Sequence, residues 1–391
     1  MEFYDLIVIG GGIIGLSSAY YAASAGKKTL LLEQGVPLHD LGGSSPGTRF
    51  FRVMHSEPNL VRLAEASYAL WRQIEYETES EMISPQPLLF LGERASDKTV
   101  EGDFSIAHLT MNKLGVPYRE LQSDQIQAEY SGFKKVPPNY VGLIQNNSGI
   151  IRVETCLTGM AKLARSKGAT IVTSKKASII SNEGNRDTYT VTTSSGDFQC
   201  REIVIAAGAW TNNVLAPLGV KLDLKIWQMT IGYFEVDSAQ YRYPFWYEFG
   251  RKQGENTGLF YGFPASEEIE GCVKLSADFT FDYFDDVNSC TRKPCQKILG
   301  MIAQNARARF HSINVVPRLT KTCLYSMSPD YGMIVDRLPG HDRVAIFAGE
   351  SGRGFKFAPI LGRILCELAA GGESWFDISE FSIKRGKILL S

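Results

Sequence analysis

A short run of Ile, Leu and Val from Tyr4 to Ile9 stops at Gly10-Gly11-Gly12-Ile13-Ile14-Gly15, and apolar and small residues then continue to Ala25 before Gly26. This pattern predicts a buried strand, a tight turn and a helix ended by glycine. Lys28 to Leu32 predicts a second strand, ending at Glu33, which completes a βαβ unit with a parallel sheet buried on both faces. In Gly10-x-Gly12-x-x-Gly15 the first glycine permits the turn, the second lets backbone approach a pyrophosphate, and the third lets helix and strand pack closely. The helix start, with Ile14 in its first turn, offers N–H donors and partial positive charge to phosphates. Glu33 suits ribose hydroxyls and repels a 2′-phosphate. The fingerprint therefore predicts a dinucleotide site without separating FAD from NAD.

Two later segments read as further strands of that layer: Glu202 to Ala207, leading into Gly208, and Arg343 to Ala348, leading into the Gly349–Gly354 turn. Apolar positions 357, 360, 361, 364, 365 and 368 then form a helical face closed by Gly371-Gly372. The expected fold is α/β with two discontinuous domains. Residues 1–84, 146–219 and 321–391 form the dinucleotide-binding domain. Residues 85–145 and 220–320, with aromatic and alternating runs such as Ile226–Val236 and Gly258–Phe263, form a mostly antiparallel substrate domain.

Composition narrows the function. The chain has 391 residues, 44% of them apolar, which is ample for a large core. With 41 basic and 42 acidic residues the net charge is −1, so a nucleic-acid partner is not expected. Seven scattered Cys without a C-x-x-C pair fit free thiols in a reducing compartment, and five His without ligand spacing give no metal site. No run is long and apolar enough to span a membrane, the first apolar run lacks a signal-peptide pattern, and Leu389-Leu390-Ser391 is not the S-K-L peroxisomal address. The expectation is a soluble, cytoplasmic monomer.

Gly43-Ser44-Ser45-Pro46-Gly47 has the letters of a hydrolase nucleophile elbow but lacks the strand before and helix after that the elbow needs. Gly43, Ser44 and Ser45 fit better as donors to a cofactor. Arg49 and Arg52 share a side on a helix and oppose one another on a strand. Cys323, read alone, is a buried structural thiol.

Taken together, the fingerprint, Thr48-Arg49-Phe50-Phe51-Arg52, Lys274, Cys323-Leu324-Tyr325 and Gly352-Arg353-Gly354-Phe355-Lys356-Phe357 resemble the monomeric sarcosine oxidase family of flavin amine oxidases. Glu101-Gly102, Phe245-Trp246, Leu259–Phe263 and Asp278-Phe279 are similar to the nikkomycin-pathway branch, which oxidises piperideine-2-carboxylate. The resemblance implies a glutathione-reductase-like FAD domain, with FAD attached through Cys323 and held by Gly10, Gly12, Ile14, Gly15, Glu33, Gly43, Ser44, Ser45, Arg49, Gly208, Gly352, Gly354, Phe355 and Lys356. It places Arg49 beside the flavin, Arg52 and Lys356 on a substrate carboxylate, Lys274 at the oxygen-reacting face, and Glu101, Tyr261 and Asp278 in the pocket. Arg353 departs from the pattern, since the family carries His there and the nikkomycin branch Trp. A guanidinium in a dry pocket needs a partner, either Glu101, Asp278 or Glu350, or an anionic group of the substrate.

The implied activity is oxidation of a secondary or cyclic α-amino acid to an imine, with O2 reoxidising the flavin and yielding hydrogen peroxide. The alternatives are a dehydrogenase feeding a quinone or partner flavoprotein, an oxidase of an opine-like diacid secondary amine, and a flavin-binding protein without catalysis.

Overall fold

The glycine turn lies where the sequence puts it. In the computed structural model, which describes residues 1–45, 47–95, 98–181, 188–250, 258–265 and 268–390, strand Glu2–Ile9 runs into helix Ile13–Ser24 and strand Thr29–Leu32 follows. Glu2–Ile9 pairs in parallel with Thr29–Leu32 on one side and Gly196–Ile205 on the other. Thr170–Val172 extends the first side, and His341–Ala348 the second. Ile334–Leu338 adds an antiparallel edge, while hairpin Ala177–Ser181/Tyr189–Thr193 continues from the first half of Gly196–Ile205. Leu6, Ile7 and Val8 are wholly buried because helices cover one face and the hairpin side the other.

Gly10 has φ +110°, and a Cβ on it would sit 2.3 Å from the Ala206 carbonyl oxygen. A Cβ on Gly15 would meet the Gly10 carbonyl oxygen at 1.8 Å. Both glycines are thus required by the close approach of helix, turn and neighbouring strand. Helix Ala358–Ala369, whose buried face is the one read from the sequence, packs beside Ile13–Ser24.

The second layer is a nine-stranded sheet. Its order is Tyr283–Phe284, Lys225–Glu235, Cys272–Ala277, Leu259–Ala265, Phe245–Phe249, Leu88–Glu93, Tyr140–Gln145 and Arg119–Gln122, with Leu319–Met327 on the free side of Lys225–Glu235. Only Leu88–Glu93 and Phe245–Phe249 run parallel; the other pairs are antiparallel. The expected break at residue 321 falls inside Leu319–Met327. That strand is paired with Lys225–Tyr233 along its length, so by hydrogen bonding it belongs to the antiparallel layer. A three-stranded sheet of Thr48–Arg52, Ser148–Arg152 and Ile83–Pro85 lies outside both.

Candidate active site

Two adjoining cavities occupy the region between the layers. The larger, about 560 Å³, is within the usual range for a ligand pocket. It is lined by Gly10, Gly12, Ile14, Glu33, Gly43, Ser44, Arg49, Gly208, Gly352, Gly354 and Phe355 among others, so most of the residues expected to hold the cofactor meet there. Gly15 lies behind it, packing helix on turn. Ser44 Oγ accepts from the Ile13 N–H (3.2 Å) at the helix start; Pro46 of the same loop is outside the described residues. Ser44 thus caps the helix start across the glycine turn, while Ser45, the serine of the hydrolase-like letters, accepts from Arg49 Nη2 (3.2 Å). Glu33 accepts from the Gly11 and Gly35 N–H groups at 2.6 Å each and lies 3.2 Å from His39 Nε2. Burial pushes its carboxyl up, but the bonds from His39, Gly35 and Gly11 prevail and hold it below the ordinary value. His39, raised in turn by Glu33, was not legible as a site residue.

The second cavity, about 40 Å³, is reached where Arg49, Tyr325, Gly352 and Phe355 line both. Its wall also carries Glu101, Tyr261, Lys274, Cys323, Arg353 and Lys356. Phe50 forms an aromatic side, with ring centroids 4.5 Å from Phe245, 4.4 Å from Tyr247 and 4.3 Å from Phe263.

Arg49 and Arg52 stand on opposite faces of strand Thr48–Arg52. Arg49 donates to the carbonyls of Thr48 (2.8 Å), Gly43 (3.1 Å) and Ser45 (3.1 Å), tying the strand to the cofactor-side loop. Arg52 is wholly buried and does not line the cavity. Its guanidinium pairs with Glu101, donates to the Met54 carbonyl and lies 3.0 Å from His55 Nδ1. The expected direct contact of Arg52 with a carboxylate is therefore not preformed, because Glu101 stands between. Gln145 Oε1 fixes this bend by accepting from the Val53 and Met54 N–H groups (3.0 and 2.7 Å).

Glu101 and Asp278 form a buried carboxyl pair. Burial and the neighbouring Glu101 raise Asp278 well above the carboxylate range, which favours its protonated form. Burial acts likewise on Glu101, but Arg52, Arg353 and Lys356 outweigh it and keep Glu101 ionised. Asp278, expected in the pocket, does not reach the cavity wall, which Glu101 occupies in front of it.

Lys356 is 5% exposed, and among the described residues its ammonium donates only to the Arg353 carbonyl (3.0 Å). Its own carbonyl is gripped by Ser67 Oγ (2.7 Å) and Trp71 Nε1 (2.9 Å) from helix Pro58–Thr78. Burial, with Arg52 and Arg353 nearby, lowers its pKa to about 7. Lys274 donates to the Thr48 carbonyl (2.9 Å) and Oγ1 (3.1 Å) and pairs with Glu268 at 3.3 Å. Burial lowers it to about 8 despite Glu268. Glu268 itself is held at about 2: Lys274, Thr48 and Tyr233 overcome its burial. Glu268 escaped the sequence reading because an acidic stretch six residues from a lysine looks like a solvated loop.

Arg353 takes none of the three carboxylates expected from the sequence. Its Nη1 lies 3.3 Å from Glu57 Oε1, and Glu57 is the residue just before helix Pro58–Thr78. Glu350 turns away, accepting from the Ser326 N–H (2.8 Å), and burial raises its carboxyl to about 7. Cys323 is a buried free thiol on the wall of the smaller cavity, its pKa raised by burial. Among the described residues no group of His, Cys, Asp and Glu is placed to hold a metal ion, and no helix is long and apolar enough to cross a membrane.

A parallel sheet with a glycine-turn cavity, continued under an antiparallel roof that carries buried cations, has the plan of a flavin-dependent oxidoreductase. The family model for FAD dependent oxidoreductases (DAO) matches residues 5–368, and the chain belongs to that family. Within it this is an FAD-dependent, sarcosine oxidase-like amine or amino-acid oxidase related to NikD. It is 28% identical over 396 residues to the monomeric sarcosine oxidase of Bacillus sp. (strain NS-129), covering 98% of this chain and 97% of that one. It is 29% identical over 391 residues to an N-methyl-L-tryptophan oxidase of Salmonella enteritidis PT4 (strain P125109), covering 98% and 99%. Among solved structures, NikD, an unusual amino acid oxidase essential for nikkomycin biosynthesis, superposes with a TM-score of 0.89 at 29% identity, covering 98% of both chains.

Proposed function

We propose that this enzyme oxidises a secondary or cyclic α-amino acid at the carbon beside its nitrogen, with O2 as the final electron acceptor. The observation that carries the reading is the small cavity beside Cys323 and Tyr325. There the Lys356 ammonium has no carboxylate partner among the described residues, while the aromatic side around Phe50 receives the apolar part of an amine. The parallel layer serves as the FAD domain and the antiparallel layer as the substrate domain.

FAD, when bound, would supply a hydride acceptor for the substrate carbon, the amine being oxidised to an imine, and would supply the two electrons that reduce O2 to hydrogen peroxide. The chain's own residues bind and orient. Gly10 to Ile14 and Ser44 receive the pyrophosphate, Glu33 the ribose, and Arg49 the ring system from the loop side. Cys323, on the strand bordering both cavities, is the attachment point for the cofactor. Lys356 takes the substrate carboxylate, with Arg52 supporting from behind Glu101; holding the reacting carbon in one position supplies much of the rate. The substrate binds as the free amine, because a protonated nitrogen has no lone pair to assist hydride loss. Lys274, pinned between Thr48 and Glu268, offers a cation where charge develops as oxygen is reduced.

The test is a panel of N-alkyl and cyclic α-amino acids mixed with the holoenzyme under nitrogen. Loss of the flavin absorbance with an α-amino acid, but not with its decarboxylated amine, is the expected result, followed by one peroxide per turnover in air. Bleaching without peroxide assigns the electrons to a quinone or partner flavoprotein instead. No bleaching by any member refutes the activity.

A further inference from the structure

The cations around the small cavity outnumber the anions available to them. Lys274 is matched by Glu268 and Arg52 by Glu101, while Asp278, pushed up by burial and Glu101, makes no ion pair among the described residues. Arg353 and Lys356, both on the cavity wall, are left with one weak ion pair between them. Arg353 is 5% exposed, yet among the described residues only Nη1 of its guanidinium meets an acceptor side chain, and at 3.3 Å that contact to Glu57 is long for a charged hydrogen bond. Its Nε is buried without a hydrogen-bond partner among the described residues. Burying a guanidinium so poorly satisfied is costly unless another anion arrives. Glu57, by contrast, is one-third exposed and tied otherwise to the adjacent Ser56 hydroxyl, so it is free to turn outward. A single carboxylate on Lys356 leaves the Nε edge of Arg353 unmet.

We infer that Arg353 forms a second anion subsite, and that the substrate is an α-amino acid whose nitrogen substituent or side chain bears a further carboxylate. The inference rests on the amine-oxidising reading above and names its substrate class. The α-carboxylate goes to Lys356. The second carboxylate displaces Glu57 from Arg353 and accepts from the Nε and Nη edge in the two-point geometry that a planar guanidinium favours. Glu57 is then a competitor for the subsite in the empty enzyme, which sets opposite signs for the two substitutions at this pair.

The experiment uses matched probes with the holoenzyme under nitrogen: N-propylglycine against N-(2-carboxyethyl)glycine, and N-pentylglycine against N-(4-carboxybutyl)glycine, so that the subsite is tried at two reaches. The half-saturating concentration for flavin bleaching is read for wild type, Arg353→Met and Glu57→Gln. In wild type the diacid of at least one pair should saturate ~10-fold or more below its monoacid. Arg353→Met should erase that preference, the diacid losing ~10-fold or more beyond whatever its monoacid loses, and Glu57→Gln should increase it, since the internal competitor has lost its charge. Equal losses for monoacid and diacid in Arg353→Met, or no diacid preference in wild type at either length, overturn the subsite while leaving the oxidase reading intact. Absence of bleaching by every probe and by the wider amino-acid panel refutes the oxidase reading itself.

Discussion

A cysteine thiol and a lysine show how far burial decides chemistry at single residues. Cys323 is enclosed, and burial raises its pKa, so by itself it is an unreactive thiol. Its place on the wall of the smaller cavity, two residues before Tyr325, which lines both cavities, supports the proposed tether role. Acid precipitation of the holoenzyme should leave the yellow chromophore in the pellet, and Cys323→Ser should move it to the supernatant; release from the unaltered protein refutes the tether. Lys356 makes a separate prediction about stability. Its proton is held with a pKa of about 7 in the fold, against 10.5 for an ordinary lysine, because burial and Arg52 oppose the charge. Below about pH 7 both folded and unfolded chains carry the proton, and the fold bears the full cost of the buried charge. Between about 7 and 10.5 the unfolded chain binds more protons, so stability rises with pH as that cost fades. Lys356→Met should therefore raise the melting temperature of substrate-free enzyme at pH 6.5 to 7 by roughly a few degrees, with the gain shrinking towards pH 10. A gain that does not change with pH would show that packing rather than charge is responsible.

At the scale of elements, the turn between Glu2–Ile9 and Ile13–Ser24 leaves no room for side chains. A Cβ on Gly15 would overlap the Gly10 carbonyl at 1.8 Å, and both atoms belong to elements fixed by their neighbours. Gly15→Val should destabilise the fold by roughly 1 to 3 kcal/mol or more and reduce flavin content on purification, because the helix start that faces the phosphates must move. Full flavin occupancy at unchanged stability would contradict the packing described. Strand Thr48–Arg52 illustrates a different point. The three-residue spacing of its arginines left helix and strand open, and strand geometry sends Arg49 towards the cofactor loop and Arg52 into the core.

At the scale of the molecule, each layer is assembled from distant stretches. Strand Glu2–Ile9 has Gly196–Ile205 as a neighbour, and helix Ile13–Ser24 has Ala358–Ala369. An N-terminal piece of residues 1–84 therefore lacks both the sheet partner and the helix that bury its apolar faces. Expressed alone, it should show no cooperative unfolding transition and no slowly exchanging amides in Glu2–Ile9; protection of that strand would mean that the βαβ unit is self-sufficient. The interleaving also bears on the expected boundary at 321. Leu319–Met327 is next in sequence to the strands that complete the parallel layer, but its hydrogen bonds run to Lys225–Tyr233.

What the sequence alone determined was local. Gly10, Gly12, Gly15 and Glu33 act through turn geometry and strand length, which depend on near neighbours, and the helix after Phe357 follows from apolar spacing. The residues that make up the pocket wall, including Lys274, Cys323, Arg353 and Lys356, were named from a motif likeness, and the fold brings them together. Their partners were decided only by tertiary structure. Glu57 beside Arg353 lies 296 residues away in the chain, and Glu101 beside Arg52 lies 49 away. Nothing in the residues around a glutamate distinguishes a solvated one from one that neutralises a buried cation. That choice is made by desolvation, which exists only after two layers from separate parts of the chain have closed over the charges.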